Sequence, residues 1–191
     1  MPLRVIAGTA KGRRLKLVPG DTTRPVMDRV KEAFFSILGR QIFDATFLDL
    51  FAGTGSVGIE ALSRGAKRAV FVEMDKLAVQ TIQANLEITG LGDSATIRRS
   101  DVLSFLKKPS GTAYDFIYIA PPQYKDLWKK TLETLDANPG WIGPDTVVIV
   151  QIDPSEQQPI ELSQLVPYDE RRYGKTLLWF FEASDTEATE D

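Results

Sequence analysis

The 191-residue chain contains no cysteine and no histidine. Without cysteine it can form no disulfide, no thiolate nucleophile and no thiolate metal site. Without histidine it lacks the commonest general base and the commonest metal ligand. No apolar run approaches the roughly 18–20 residues that cross a bilayer, and the N-terminal segment MPLRVIAGTAKGRR lacks the apolar core of a signal peptide. We therefore expect a cytoplasmic protein that uses no metal and no membrane, and whose chemistry depends on carboxylates, amides, positioning and a cofactor.

Charge is unevenly placed along this chain, whose net charge is −3. Residues 1–31 carry a local balance of +6, which leaves −9 for the remainder, and residues 182–191 hold five acids and no base. A basic segment on an acidic body is typical of proteins in which one arm contacts phosphate, although a solvated surface hairpin is the alternative. The basic residues of the segment are Arg4, Lys11, Arg13, Arg14, Lys16, Arg24, Arg29 and Lys31.

The stretch DLFAGTGSVGIEALSRGA, residues 49–66, carries the strongest motif. An apolar segment, 45–50, reads as a buried strand, and an apolar pattern typical of a helix follows the glycine motif of residues 53–58. Strand, glycine turn and helix bring backbone N–H groups close to a nucleotide-type cofactor. Glu73 ends the next apolar run, twenty residues after Gly53, where a ribose would be bound.

Beyond this motif, predicted strands and helices alternate, which indicates parallel strands joined by crossover helices. The predicted strands are Ala45–Leu50, Ala69–Glu73, Ala95–Arg98, Phe116–Ile119 and Thr146–Ile152. The predicted helices are Val57–Arg64, Leu77–Thr89, Leu103–Leu106 and Tyr124–Leu135, preceded by one that Asp28 would cap.

The two ends of the chain depart from this alternation. Tyr168–Tyr173 and Thr176–Phe181 flank the two-residue connection Gly174-Lys175, which predicts an antiparallel hairpin. Leu3–Ala7 and Arg14–Val18 predict a second hairpin at the start. We therefore expect an α/β, Rossmann-like domain with a mostly parallel seven-stranded sheet, closed by the C-terminal hairpin. The predicted boundaries are 1–22 for the basic hairpin, 23–182 for the domain and 183–191 for a disordered acidic tail.

The motif GTGSVG alone leaves a dinucleotide-dependent oxidoreductase open. Three features favour S-adenosylmethionine instead. Asp49 lies four residues before Gly53, where a carboxylate suits an ammonium group and would repel a pyrophosphate. Pro121-Pro122 stiffen a loop beside an aromatic residue, which suits the stacking of a flat base. The antiparallel ending is typical of methyltransferase sheets, and in such a sheet Asp101 would accept a hydrogen bond from the adenine amino group.

Each of these features also has a purely structural interpretation. Asp49 could accept hydrogen bonds from backbone N–H groups of the turn, and Pro121-Pro122 could simply end a strand. Asp101 could be the N-cap of the helix that begins near Leu103. All of these residues, however, follow consecutive parallel strands, at whose carboxyl ends such sheets bind ligands.

Motifs along almost the whole chain, from Arg4 to Phe181, resemble those of the RsmD-type methyltransferases. The matching segments are RVIAGTAKGRRLK, TRPVMDRVKEAFFSIL, DLFAGTGSVGIEALSRGA, VFVEMD, APPQY and RRYGKTLL. The resemblance implies methyl transfer from S-adenosylmethionine, with S-adenosylhomocysteine as product, to the exocyclic N2 of a guanine in small-subunit (16S) rRNA. It also implies a monomer that acts on this RNA within a ribosomal particle.

The resemblance assigns roles to three groups of residues. The loop that receives the base is Ala120, Pro121, Pro122, Gln123 and Tyr124. The cofactor would be held by Arg24, Pro25, Asp49, Phe51, Gly53, Gly55, Glu73, Met74, Asp101 and Val102. The RNA phosphates would be contacted by Arg4, Lys11, Arg13, Arg14 and Lys16.

The APPQY loop departs from the family pattern, which is Asp-Pro-Pro followed directly by an aromatic residue. Ala120 replaces the acid, and Gln123 is inserted before Tyr124. The acid's side chain accepts a hydrogen bond from the guanine amino group, whose lone pair is delocalised into the ring. The amide of Gln123 could take over this role. Two other functions stay open: an RNA-binding assembly factor that lost activity with the acid, and a nicotinamide-dependent oxidoreductase.

Overall fold

The computed structural model describes residues 2–20, 25–138 and 140–185. Within these ranges the α-helices are α1 (Asp28–Leu38), α2 (Ser56–Ser63), α3 (Lys76–Thr89), α4 (Val102–Leu106) and α5 (Leu127–Ala137). The strands are β1 (Thr46–Leu50), β2 (Arg68–Glu73), β3 (Ala95–Arg99), β4 (Tyr114–Ile119), β5 (Ile142–Ile152), β6 (Leu165–Tyr173) and β7 (Thr176–Ala183).

The seven strands form one sheet in the order β3-β2-β1-β4-β5-β7-β6. The first five strands of the chain pair in parallel, whereas β7 is antiparallel to both β5 and β6. The predicted mostly parallel sheet with an antiparallel C-terminal hairpin is therefore confirmed. Because the parallel strands end at the same edge, the loops that follow them are brought together there.

Helices cover both faces of the sheet, so its central strands are apolar on both sides. In β1, Phe47 belongs to a hydrophobic cluster that includes residues of α1, α2 and α3. The next residue, Leu48, belongs to a second cluster that includes residues of α4 and α5. All four residues from Phe47 to Leu50 are buried, which explains why β1 reads as a continuous apolar run.

The N-terminal segment runs antiparallel to itself as predicted, but it does not form two regular strands. Its two arms are joined by a bridge between Arg4 and Arg14 and by a few backbone hydrogen bonds, such as that from the N–H of Leu15 to the carbonyl of Leu3 at 2.8 Å. The backbone N–H groups of Ile6 and Ala7 donate instead to the side chain of Glu60. Side chains of the domain therefore supplement the few backbone hydrogen bonds between the two arms of the segment. Leu3, Val5, Ala10 and Leu15 belong to the same hydrophobic cluster as α1–α3.

Two predicted helix starts were wrong for local reasons. Met27, not Asp28, is the N-cap of α1, because Asp28 lies in the first turn and pairs with Arg4 at 3.0 Å. α5 begins at Leu127 rather than Tyr124, because Tyr124 and Asp126 have φ values of +61° and +50°, which a right-handed helix excludes.

The last three strands are longer than predicted, since β5 begins at Ile142 and β6 at Leu165, and β7 extends beyond Phe181. Strand β7 includes Ala183, and the backbone N–H of Ser184 donates to Gln164 at 2.8 Å. Strand β7 therefore ends two residues beyond its predicted end at Phe181. The rest of the predicted tail, from 186, lies outside the described residues.

A buried ion pair joins the N-terminal segment to the domain. The side chains of Lys31 on α1 and Glu60 on α2 are both 0% exposed, and their charged atoms lie 3.3 Å apart. Lys31 also donates to the carbonyl of Arg4 at 2.6 Å. Burial lowers the pKa of the Lys31 ammonium, and the Glu60 carboxylate opposes this effect.

Removing the charge of Glu60 should destabilise the protein, because it leaves the Lys31 ammonium buried without its counter-ion. We expect Glu60→Gln to lower the free energy of unfolding by about 3–5 kcal/mol in urea denaturation. The exposed residue Glu133 on α5 offers the matched control, since Glu133→Gln should change stability by less than about 0.5 kcal/mol. Equal stability of the two variants would contradict this account of the ion pair.

Candidate cofactor and substrate site

Four loops meet at the carboxyl edge of the sheet, after β1, β2, β3 and β4. They comprise residues 51–55, 74–75, 100–101 and 120–126. The loop after β1 is tightly folded. The N–H of Ala52 donates to Val72 on β2 at 3.1 Å, and the N–H of Gly55 donates to the carbonyl of Ala52 at 2.8 Å. Phe51 enters the loop with φ at +61°. The edge therefore has a rigid glycine loop at its centre.

The three glycines of the motif serve three different purposes. Gly53 has φ at +57°, and a Cβ atom added there would meet nothing within 4 Å. Gly55 has φ at +78°, but its added Cβ would face the Ile82 side chain of α3 at 3.2 Å. Gly58 lets α2 approach the sheet, since its Cβ would lie 2.4 Å from the ring of Phe71. Only Gly53 thus presents open space in which a ligand could approach the backbone.

Glu73 connects the glycine loop to the loop after β2. One of its carboxylate oxygens accepts from the N–H of Gly53 at 2.9 Å. The other accepts from the N–H groups of Met74 at 2.8 Å and Asp75 at 3.0 Å. Glu73 is half-buried, and Met74 beside it is 63% exposed. The predicted ribose-binding carboxylate therefore lies next to the predicted glycine loop, together with an exposed apolar side chain.

Asp49 faces the interior rather than the open edge. Its side chain is buried, and Oδ2 accepts from the N–H of Gly58 at 3.0 Å. Burial raises the pKa of the Asp49 carboxyl well above its usual range, although the Gly58 hydrogen bond acts in the opposite direction. The structural interpretation of Asp49, a carboxylate that accepts from backbone, is therefore what the geometry displays. Its contact with a cofactor ammonium stays a prediction.

Asp101 is the N-cap of α4, since its Oδ2 accepts from the N–H of Ser104 at 2.8 Å. It is nevertheless exposed at the site edge, so the cap leaves it accessible to an adenine amino group. Val102, which follows, is buried. Arg99 is the last residue of β3, and its guanidinium donates to the carbonyl of Met74 at 3.3 Å, which joins the loops after β2 and β3.

The APPQY loop after β4 projects into solvent. Gln123 and Tyr124 lie in a turn, and the Tyr124 side chain is 70% exposed. The N–H of Tyr124 donates to Glu156 at 2.8 Å, which fixes the loop to the segment after β5. An exposed aromatic ring on an anchored backbone can stack on a base.

Next to this loop lies a cleft of about 390 Å³ that the sequence motifs did not predict. Its lining includes Ser155 after β5 and two cations of the C-terminal hairpin, Arg172 and Lys175. The hairpin turn is at this edge because Tyr173 pairs with Thr176 beyond the end of β5.

The five predicted phosphate contacts of the N-terminal segment are all exposed. These residues are Arg4, Lys11, Arg13, Arg14 and Lys16. They alternate with the buried apolar residues of the same segment, so the cations face solvent while the segment is fixed to the domain. Of the two predicted residues before α1, Pro25 is exposed, and Arg24 lies outside the described residues.

Asn85 on α3 links this segment to the glycine loop and was not predicted. Its side chain is 0% exposed. Its amide accepts from the N–H of Lys16 at 2.7 Å, and donates to the carbonyls of Lys16 at 3.1 Å and Thr54 at 2.9 Å. The sequence did contain a signal for this role: Asn85 is a polar residue on the face of the predicted helix that also carries the apolar residues Ile82 and Leu86.

The part of the chain that the structure describes has no helix long and apolar enough to cross a membrane. In the same part, no three His, Cys, Asp or Glu side chains are grouped so that they could hold a metal ion.

Comparison with known proteins agrees with this architecture. The family model described as conserved hypothetical protein 95 matches residues 3–182. The ribosomal RNA small subunit methyltransferase D of Escherichia coli K12 is 36% identical over 149 residues, which cover 78% of this chain and 74% of that protein. A Bacillus subtilis protein named "Putative rRNA methyltransferase YlbH" is 38% identical over 176 residues, which cover 91% of this chain and 95% of that protein.

Solved structures share the fold. The structure of the E. coli protein "Putative methyltransferase yhhF" superposes with a TM-score of 0.84 at 32% sequence identity. The superposition covers 96% of this chain and 99% of the E. coli chain. The protein SMU.776, solved with SAH bound, has a TM-score of 0.65 and covers 83% of this chain and 50% of that one. At 16% identity it shows the fold alone.

Sheet order, glycine loop and solved relatives together define a Rossmann-like methyltransferase. The chain belongs to the RsmD-type family, as its motifs predicted.

The glycine loop offers a matched pair of substitutions. Gly53→Ala and Gly55→Ala both place a side chain at positive φ, so each should cost about 1–2 kcal/mol of stability. Only the Gly53 methyl enters the open side of the loop. We expect Gly53→Ala to weaken S-adenosylhomocysteine binding at least 10-fold in calorimetry, and Gly55→Ala to change it less than 3-fold. The reverse order would place the ligand on the other side of the loop.

Proposed function

We propose that this protein transfers a methyl group from S-adenosylmethionine to the exocyclic N2 of a guanine in small-subunit rRNA. It does so in the cytoplasm, as a monomer acting on a ribosomal particle. The observation that carries the proposal is the meeting of the glycine loop and the APPQY loop at one edge, in a member of the RsmD-type family. The names of relatives support RNA as the substrate class, since the E. coli relative is named for small-subunit rRNA.

The cofactor is S-adenosylmethionine, in line with the family and with the SAH-bound protein of the same fold. Its ribose suits the Glu73 carboxylate beside Gly53, and its adenine suits the exposed Asp101 together with the backbone of Val102. The family resemblance also assigns Phe51, Gly55 and Met74 to cofactor binding. Arg24 and Pro25 precede α1, where they would close over the cofactor or the base. The ammonium is assigned to Asp49 by family resemblance.

Methyl transfer here depends on proximity and orientation more than on acid–base chemistry. When bound, the cofactor supplies a sulfonium methyl: a bond forms from N2 to the methyl carbon, the S–C bond breaks with its electrons to sulfur, and the N2 proton passes to water. Tyr124 would stack on a guanine that is flipped out of its helix. The stiff Pro121-Pro122 backbone would direct its carbonyls, and that of Ala120, at the amino group.

The N-terminal segment would bind the RNA backbone. Its cations are exposed, while the buried residues between them fix the segment to the domain. Electrostatic attraction to phosphates needs no particular sequence, so it positions the RNA while the APPQY loop receives the base.

Methyl transfer from labelled S-adenosylmethionine to RNA or small-subunit particles from cells lacking this protein tests the proposal. Tyr124→Ala should reduce single-turnover transfer about 10-fold to 100-fold, because stacking on a base contributes about 1–3 kcal/mol. Tyr168→Ala, which removes another exposed tyrosine on β6, is the control and should retain activity.

Two outcomes would contradict the proposal. A wild-type protein that binds cofactor and particles yet transfers no methyl would be an assembly factor rather than an enzyme. Modification of a different base or atom would refute the guanine-N2 assignment.

The salt dependence of RNA binding tests the role of the N-terminal segment. Replacing Arg13, Arg14 and Lys16 together by glutamine should flatten the plot of log affinity against log salt by about two to three units, because each phosphate contact contributes about 0.7–0.9. Affinity for S-adenosylhomocysteine should not change.

The charge-matched control uses three lysines at the amino edge of the sheet, opposite the loops of the cofactor site. Lys67 precedes β2, and Lys107 and Lys108 follow α4; all three are exposed. Their replacement by glutamine removes the same charge, so it should leave the salt slope within one unit of the wild-type value. Equal slopes for the two triple variants would make the N-terminal segment an ordinary solvated surface.

A further inference from the structure

We propose that Gln151 supplies the side-chain acceptor for the guanine amino group that Ala120 cannot provide. This inference rests on the proposed function and names one further residue of the same site. It differs from the sequence-based expectation, in which the inserted Gln123 took over the acceptor role.

The strand register brings Gln151 to the position of the missing acid. Strands β4 and β5 are parallel, and their last paired residues are Ile119 and Val150. One step further along both strands, Ala120 lies opposite Gln151. An acceptor on the Gln151 side chain can therefore reach the space that a longer side chain at position 120 would occupy.

Both residues belong to the same face of the sheet. Tyr118 and Ile149, each two residues earlier, are members of the cluster that includes α1, α2 and α3. Ala120 packs against this cluster as well. Gln151 is half-buried, so its amide is partly accessible to a ligand at the edge of the site.

A buried tyrosine orients the amide of Gln151. The Tyr118 hydroxyl donates a hydrogen bond to Gln151 Oε1. Tyr118 is 2% exposed, and its ring packs against that of Phe34 with centroids 5.5 Å apart. Burial raises the pKa of the Tyr118 hydroxyl well above its usual value, so it remains a donor. An amide oxygen has two lone pairs, so Oε1 can still accept from a substrate N–H while Tyr118 restrains it.

The side chain of Gln123 is not preorganised in the way that Tyr118 preorganises Gln151. It lies in the exposed turn of the APPQY loop, three residues beyond position 120. The anchor of that turn is the neighbouring backbone N–H of Tyr124, which donates to Glu156. A transition-state acceptor is most effective when its position is fixed before the reaction, which favours Gln151.

Single-turnover methyl transfer with saturating cofactor tests the assignment. Gln151→Ala should lower the rate about 100-fold, by analogy with other removed transition-state contacts, while affinities for S-adenosylhomocysteine and RNA stay within 3-fold of wild type. Gln151→Glu keeps an acceptor oxygen and should retain most of the rate. Tyr118→Phe, which removes only the orienting hydroxyl, should lower the rate less than Gln151→Ala does.

Rescue distinguishes a catalytic contact from a merely structural one. Ala120→Asp restores the family's acid opposite position 151. In the Gln151→Ala background it should recover at least 10-fold of the lost rate. A destabilised fold would not regain activity through a carboxylate at position 120.

Each other outcome refutes the assignment. Full activity of Gln151→Ala, or a loss of rate in Gln123→Ala alone, would overturn the role of Gln151 and leave the proposed function intact. A loss in Gln151→Ala without rescue by Ala120→Asp would make Gln151 structural. A wild-type protein without any methyl transfer would overturn the proposed function and this inference together.

Discussion

The carboxylate of Glu60 is 0% exposed on α2, and groups from three other parts of the chain share its oxygens. The N–H groups of Ile6 and Ala7 donate at 3.0 Å each, and Lys31 and Arg64 pair with it at 3.3 and 2.9 Å. A buried charge is tolerated only when such partners replace water. The N-terminal segment and α1 must therefore lie where they do, or the carboxylate loses its partners.

The same dependence extends to the cofactor side of α2. Gly58 lies in the first turn of this helix, and its N–H donates to the side chain of Asp49 on β1. Because Gly58 has no side chain, the helix can pack closely against Phe71 of the sheet. The amino end of α2 and the glycine loop are thereby fixed to β1 and β2. Asn85 extends the connection to Lys16, so the surface proposed for RNA and the loop for the cofactor share one rigid support. Preorganisation of this kind lowers the entropic cost of binding two ligands together.

The fold and the loops of the site could be predicted because they follow from local patterns. Apolar runs bounded by turn residues located all seven strands of the sheet, and the parallel order placed Gly53, Glu73 and Asp101 at one edge. The N-terminal strands could not be predicted correctly. Some of their backbone hydrogen-bonding groups pair with the side chains of Glu60 and Asn85, which are more than fifty residues away in the sequence.

The hydrogen-bond and ion-pair partners of buried polar residues could not be predicted from sequence patterns either. Glu60 lies inside the apolar run of α2, and Gln151 lies near the end of the apolar β5. A polar residue in such a run indicates that a partner exists, but its identity depends on strand register and helix packing. For the same reason, the inserted Gln123 was the natural replacement for the missing acid as long as only neighbours in sequence were considered.

The substitution at position 120 illustrates how a different residue can supply the hydrogen-bond acceptor of a site while the geometry of the site is kept. In a parallel sheet, side chains opposite each other on neighbouring strands face the same space, so an acceptor can come from either strand. A neutral amide is a weaker acceptor than a carboxylate, because hydrogen bonds to a charged group are about twice as strong. The amide carries no charge that must be desolvated when a base enters, however, and the buried Tyr118 fixes its orientation in advance. The loss of the acid at Ala120 is therefore compatible with an active enzyme, provided that the opposing strand contributes the acceptor.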